Sequence, residues 1–380
     1  MLVDYIRVSR NHSNSTSPDE VVPKYIIFLD TSSCGLSLIS SAIIIMMFWP
    51  KSPCRIPADG ITKHMRCLLV WLSIANSIHC TADFVGALWY YRVVQEKANP
   101  QHHLHGLCLA QGVLSSFAPF AEFLWTTVIS LQITFLILGC GQSDTENERS
   151  NRRRWVNFCC DNKFPLVCWG LPALVCVFGL GFRVFGETGH LYSGPWCWIK
   201  KGLPQGWKIF WMFMTMKAWE LLAYFSSAMC LTLKLAQVLD RWLRRVRGLT
   251  LSGHSGSSVA GVAPEAPQEA DTLQDADRTF FCVVWIIFYV FRVPGTINFI
   301  LEIAYPGSHK EQLNYIKNVL MGMEAFGDDA QAFGNLVFLV IFNKEVRAWL
   351  SCKRNCVRPR NARDERSSLI QSTDNHAEPV

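Results

Sequence analysis

The sequence predicts an all-α fold: a bundle of seven transmembrane helices with a short amphipathic helix on the membrane surface after the seventh. Three observations predict it. Seven long apolar stretches alternate with polar loops, at Tyr25–Trp49, Cys67–Tyr90, Cys108–Leu138, Phe164–Phe185, Trp207–Leu239, Phe280–Ala304 and Leu313–Phe342. Each supplies the roughly 20 residues with which an α-helix crosses about 30 Å of hydrocarbon. The composition agrees, with 50% hydrophobic and 17% charged residues and a mean hydropathy of +0.17 over 380 residues. Finally, the basic residues gather in alternate loops, the pattern of a chain threaded repeatedly through a bilayer.

An odd number of spans puts the termini on opposite sides, and the Lys and Arg excess decides which. Lys51, Arg55, Lys63 and Arg66 follow the first span; Arg149, Arg152, Arg153, Arg154 and Lys163 follow the third. Arg241, Arg244, Arg245, Arg247 and Arg278 follow the fifth. The positive-inside bias then places the N-terminus outside and the C-terminus in the cytoplasm of a multi-pass plasma-membrane protein. Because the basic residues are distributed by loop, the pI near 8.6 does not indicate a nucleic-acid partner. Residues 1–20 hold no apolar core of a signal peptide, so the first span is expected to act as its own anchor.

Taken in order, residues 1–24 form a short extracellular segment whose sequons, Asn11-His12-Ser13 and Asn14-Ser15-Thr16, make Asn11 and Asn14 the expected glycosylation sites. Residues 25–343 form the transmembrane domain. Of the 15 cysteines, Cys108 at the outer start of the third span and Cys197 before the fifth face the oxidising side, and a disulfide between them is expected. The cytoplasmic stretch 248–277 is rich in Gly, Ser, Ala and Pro without apolar periodicity and reads as disordered. Beyond the seventh span, Phe342, Val346, Trp349 and Leu350 recur at helical spacing, so 344–352 reads as the amphipathic helix lying on membrane lipid. Cys352 and Cys356 follow where palmitoylation would anchor it, and residues 353–380 read as a disordered tail. Within it, residues 365–370 have the pattern of an acidic dileucine sorting signal.

Ionisable residues inside spans are costly and mark function by default. The second span carries Asn76, His79 and Asp83, the third Glu122, the fifth Lys217 and Glu220, and the sixth Arg292. In the seventh, Glu324, Asp328, Gln331 and Asn335 are spaced i, i+4, i+7, i+11 along one helix face, with Lys317 nearer its outer end. Two readings of this set stand together. One makes it a ligand pocket above a conformational switch; the other makes it a structural network in which Lys217 and Arg292 neutralise Glu122, Glu220 or Asp328. Along the inner end of the fifth span, Lys234, Val238, Arg241 and Arg245 form a mostly basic stripe, to which Arg152, Arg153 and Arg154 add charge. It serves either to anchor the helix on anionic lipid or to meet an acidic protein partner.

Four seven-helix classes compete. A retinal protein needs a Schiff-base lysine at mid-depth of the seventh helix, and Lys317 is too near the end. A zinc hydrolase needs His and Asp ligands converging in the bundle, and His79 is the only His deep in a span; no enzyme, metal or cofactor is expected. A transporter or channel would use the buried polar set, but no internal repeat is visible and an outer-loop disulfide does not call for one. A signalling receptor fits every feature.

Several motifs carry a family resemblance. Lys217-Ala218-Trp219-Glu220, Trp196-Cys197-Trp198-Ile199, Arg292-Val293-Pro294 and Gln331-Ala332-Phe333-Gly334-Asn335 resemble the cyclic-AMP-receptor-like heptahelical receptors, above all their orphan animal branch. Phe342-Asn343-Lys344-Glu345-Val346-Arg347 is similar to the Asn-x-Glu-Val signature of the secretin and adhesion receptor class. The resemblance spans about residues 25–352. It implies a G-protein-coupled receptor that passes an extracellular signal, from a ligand the sequence does not identify, to a heterotrimeric G protein. The third span ends Ile137-Leu138-Gly139-Cys140, without the acidic-Arg-aromatic triplet of rhodopsin-like receptors, and Ala332 replaces a glycine usual in the family.

Overall fold

The computed structural model describes residues 24–49, 60–90, 102–138, 163–187, 197–200, 202–252, 288–301, 303–305, 311–343, 346–347 and 350–351. These form helices α1 (Lys24–Phe48), α2 (Gly60–Tyr90), α3 (His102–Leu138), α4 (Lys163–Gly181), α5 (Gln205–Met212) and α6 (Ala218–Ser252). A π-helical turn, Phe213–Lys217, joins α5 to α6 within the fifth span. The sixth span is α7 (Phe288–Leu301), and the seventh divides into α8 (Glu311–Gly327) and α9 (Gln331–Phe342). Among the described residues, five helices have the length and apolarity to cross a membrane, and α7 and α9 are shorter apolar helices. Large apolar side chains on outward faces, such as Phe28, Leu166 and Phe225, are 69%, 73% and 71% exposed. A surface like that suits lipid rather than water.

Packing follows chain order. Helix α1 lies on α2, α2 on α3, and α3 on α4 and α6, while α8 and α9 return to α1. Its contacts make α3 the axis of the bundle. Phe120, Phe123, Trp125 and Ile129 on it are buried, and Trp71, Trp125 and Trp169 of α2, α3 and α4 form an aromatic cluster with centroids 5.9–6.4 Å apart. Such ring pairs add about 0.5–1.5 kcal/mol each beyond area burial.

A short antiparallel hairpin, β1 (Phe185–Glu187) with β2 (Cys197–Ile199), lies against α3. The disulfide Cys108–Cys197 ties β2 to α3. Gly112 permits the close approach, since a Cβ there would stand 3.3 Å from the Trp198 carbonyl oxygen.

Three features differ from the sequence reading. The seventh span is expected as one helix, but α8 ends at Gly327 and α9 starts at Gln331, with turn geometry between. Gly327 is where this span meets α7: a Cβ would fall 2.3 Å from the Phe291 carbonyl oxygen, so only glycine fits. Backbone groups loosened at such a break must find partners inside the bundle. Serines of α1 supply them. Ser33 donates to Ala325 O at 3.3 Å, and Ser37 donates to Asp329 O while accepting from Phe333 N at 3.3 Å.

The π turn is the second departure. It displaces Met214 O from the regular ladder, and the Trp219 indole donates to that oxygen at 2.7 Å. Third, α6 continues to Ser252, so 248–252 of the stretch read as disordered are helical; the remainder of 248–277 lies outside the described residues. After α9, Asn343 turns extended and its Oδ1 accepts from Val346 N at 3.2 Å, capping the helical turn that follows. Only Val346, Arg347, Leu350 and Ser351 of 344–352 are described.

Candidate functional site

The interior charges of α2, α3, α7 and the break after α8 meet in one continuous chain of contacts. It begins under the hairpin, where Cys197 N donates to Gln111 Oε1. Gln111 Nε2 donates to Ser115 Oγ at 2.8 Å, and Ser115 Oγ donates to Asp83 Oδ1 at 2.6 Å. Gln111 and Ser115 are one turn apart on α3, which is why one helix face carries both. Asp83 Oδ2 meets His79 Nε2 at 3.0 Å, and His79 Nδ1 meets Glu122 Oε2 at 3.3 Å. His79 thus bridges two carboxylates, one at each ring nitrogen.

Glu122 is the junction. It accepts from Asn76 Nδ2 at 3.2 Å and pairs with Arg292 Nη2 at 3.2 Å, and both charged side chains are fully buried. Arg292 reaches on to Asp328 Oδ1 at 3.3 Å, with its guanidinium 5.1 Å from the centroid of the Phe123 ring. Helices α2, α3, α7 and the seventh span are thereby joined through one arginine. A second cluster sits on the fifth and sixth spans. Lys217 Nζ pairs with Glu220 Oε2 at 2.8 Å, while Tyr224 and Thr296 hydroxyls both donate to Glu220 Oε1 at 2.8 Å. Glu324 Oε2 accepts from Asn298 Nδ2 at 2.8 Å.

The two clusters face a shared pocket lined by His79, Asp83, Lys217, Glu324 and Asp328 beneath Trp198 of the hairpin. Its volume open to water centres is about 30 Å³. That holds roughly two waters at ~10–15 Å³ each.

Of the residues singled out from sequence, Asp83, Glu122, Lys217, Glu220, Arg292, Glu324 and Asp328 are brought together around this pocket. Trp219 stacks on Phe120 at 4.3 Å and braces the π turn instead. Gln331 and Asn335 are buried, but their side-chain carbonyl oxygens have no hydrogen-bond partner among the described residues. The break after Gly327 separates them from Glu324 and Asp328, so the stripe works as two halves. Lys234 is buried rather than part of a surface stripe, whereas Arg241 and Arg245 lie further along α6. Arg152, Arg153, Arg154, Asn11, Asn14, Cys352 and Cys356 lie outside the described residues.

Sequence reasoning passed over Gln111, Ser115, Tyr224, Thr296 and Asn298, whose polar side chains in apolar spans were the available signal. It also passed over Asp30, fully buried on α1, and Cys34 one turn along. With Cys80 and Asp329 these form a further cluster, described below.

Comparison with known proteins now bears on this site. No family model matches the chain. It is 27% identical to G-protein coupled receptor 157 of Homo sapiens over 343 residues, covering 88% of this chain and 86% of that receptor. The Mus musculus protein of the same name is 26% identical over the same extent. G-protein coupled receptor 1 of Arabidopsis thaliana is 29% identical over 175 residues, covering 46% of this chain and 42% of the plant protein. These relatives support a G-protein-coupled receptor family. With the apolar helices described above, they point to a seven-helix bundle, a multi-pass membrane protein and a receptor that signals through G proteins.

Proposed function

We propose that the chain is a plasma-membrane receptor of the cyclic-AMP-receptor-like group, related to the secretin and adhesion class. An extracellular ligand reaches the pocket beneath the hairpin and shifts the bundle between two helix arrangements. The observation that carries this reading is the unbroken contact chain from Cys197 N to Asp328. One end is fastened to an outer loop by a disulfide, and the other sits at the break of the seventh span. A change at the pocket therefore acts on the Arg292 junction, where small displacements exchange one ion pair for another.

In this reading residues 1–24 are extracellular and glycosylated at Asn11 and Asn14, 25–343 carry the switch, and 344–380 are cytoplasmic, with lipid contact along 344–352 and acylation at Cys352 and Cys356. The G protein docks on the cytoplasmic side, where Arg152, Arg153, Arg154, Arg241 and Arg245 supply positive charge. The test is nucleotide exchange on purified heterotrimeric G proteins of each subtype, catalysed by the full-length chain in lipid nanodiscs. Exchange above that of empty nanodiscs, reduced by Asp83→Asn with unchanged chain content, is the expected result. No exchange with any subtype, with or without extracts screened as ligand sources, overturns the reading.

A further inference from the structure

We propose that Cys34, Cys80, Asp329 and Asp30 form a binding site for a zinc-type divalent metal ion, held between α1, α2 and the break of the seventh span. Three ligand atoms, the Sγ of Cys34, the Sγ of Cys80 and a carboxylate oxygen of Asp329, lie within 4.8 Å of one another, and all three residues are buried. A tetrahedral zinc with Zn–S bonds near 2.3 Å sets two sulfurs about 3.8 Å apart, so the trio needs to close only slightly. The fourth donor comes from one turn earlier on α1, because the i, i+4 spacing puts Asp30 on the face that carries Cys34. Asp30 lies beside Asp329, carboxyl to carboxyl.

Asp30 is the independent observation. It is 0% exposed, and neither of its carboxylate oxygens has a hydrogen-bond partner; Asp329 Oδ1, on a residue 1% exposed, has none either. Two carboxyls face each other across two thiols in a membrane interior, where uncompensated charge is most expensive. The nearby cationic groups are already engaged, Arg292 by Glu122 and Asp328, and His79 by Asp83 and Glu122. That engagement also decides between two overlapping trios. His79, Asp83 and Asp329 converge as well, but a metal on His79 Nε2 would displace its 3.0 Å contact to Asp83. Cys80 gives up only long contacts, 3.4 Å to Asn76 Oδ1 and 3.7 Å to Asp329 O.

The donor set names the metal class. Two thiolates select zinc and its softer neighbours over magnesium or calcium, which need all-oxygen cages. An entry path exists, since Asp329 also lines the water-sized pocket. Supporting contacts are in place: Ser37 holds Asp329 through its backbone oxygen, and Asn76 stands beside Cys80 while bonding Glu122. Metal there would pin the break of the seventh span to α1 and α2, adjoining the Glu122–Arg292 junction. Binding itself does not depend on the receptor reading.

The experiment uses the full-length chain, purified in detergent with an affinity tag free of histidine, stripped with chelator and then dialysed against Zn²⁺ or Co²⁺. Wild type should retain about one metal ion per chain, show a thiolate-to-cobalt charge-transfer band, and gain thermal stability with Zn²⁺. The charge-transfer band and the zinc-dependent rise in Tm should vanish in Cys34→Ser with Cys80→Ser, and Asp30→Asn should weaken affinity by at least about tenfold. Absence of both bound zinc and the band in wild type overturns the site whether or not the variants fold. So does equal metal retention by the double variant, which would move the ion to histidines such as His103 at the start of α3. Recovery of a Cys34–Cys80 linked peptide from non-reducing digests of wild type also overturns it.

Discussion

Helices α3 and α4 are neighbours of similar apolar character, yet in the most apolar stretch of each, 67% of residues are buried on α3 and 28% on α4. The more hydrophobic of the two is α4, the less buried one. In water that order would be reversed. In a bilayer the lipid accepts apolar side chains as readily as the protein core does, so hydrophobicity alone gives no reason to bury a helix. What draws α3 inward is its polar content, because Gln111, Ser115, Glu122 and Ser130 need partners that lipid lacks. Helix α4 touches the bundle through one strip, Cys168, Trp169 and Cys176, and leaves Leu166, Leu174 and Val177 outward. Polarity within a span is therefore the better guide to the functional interior.

The largest expected effect follows directly. Glu122→Ala on α3 leaves Arg292 with Asp328 alone and removes a carboxylate from His79, and breaking a buried pair in this way costs about 3–5 kcal/mol. Leu174→Ala on α4 deletes more apolar surface, yet it should change stability by no more than about 0.5 kcal/mol because its side chain faces lipid. Thermal unfolding in nanodiscs, read beside surface expression, measures both. Equal losses would mean that α4 is covered by another protein and that the contrast is not one of solvent.

Next is the hairpin. Cys197→Ser with Cys108→Ser unties β2 from α3, and loss of a native disulfide typically costs about 2–5 kcal/mol. The loss should appear in Tm and in protease sensitivity of the hairpin loop, while Cys176→Ser, at the α4 contact strip, should alter neither by a comparable amount. Ser115→Ala sharpens the same contrast at a single hydrogen bond. It removes the 2.6 Å contact to Asp83 but leaves every ion pair in place. An unsatisfied buried acceptor costs about 1–3 kcal/mol. If the contact chain transmits a signal, basal nucleotide exchange should shift as well; a drop in Tm alone would leave Ser115 a packing residue.

Much of this interior was readable from residues. Spans can be counted because about 20 apolar residues in a row have few other uses. The acids and bases among them announce burial, since lipid would not tolerate them. Glu122, Arg292 and Asp328 were visible on that ground as candidates to pair, with the choice among them left open. Partners were not legible, because they depend on helix rotation, and the break after Gly327 shows why. A continuous helix would keep Glu324, Asp328, Gln331 and Asn335 on one face, but the chain departs from that register when Gly327 meets the Phe291 carbonyl. Asp30 and Cys34 carry no periodic signal in a span otherwise apolar and serine-rich. Their meaning comes only from Asp329, which the same break delivers to them. The π turn at Phe213–Lys217 was equally hidden, since Trp219 read as a motif residue rather than a donor to Met214 O.

The smallest expected effect on stability, and the widest on output, is at the C-terminal end of α6. Arg241 and Arg245 lie beyond the apolar part of the fifth span on a helix that runs to Ser252. Reversing both to Glu should leave unfolding stability within about 0.5 kcal/mol of wild type, as for substitutions outside a packed core. Two roles nevertheless predict different outputs. As lipid anchors, each charge contributes about 1 kcal/mol near an anionic surface, so reversal would lower surface display or alter topology without touching exchange per displayed receptor. As a docking surface, they speed encounter with an acidic partner, and reversal would lower exchange at normal display, most strongly at low salt where charge steering is unscreened. Exchange normalised to surface receptor, measured across ionic strength, separates the roles. A variant deficit that shrinks as salt rises assigns the arginines to the G protein; unchanged normalised exchange assigns them to the membrane.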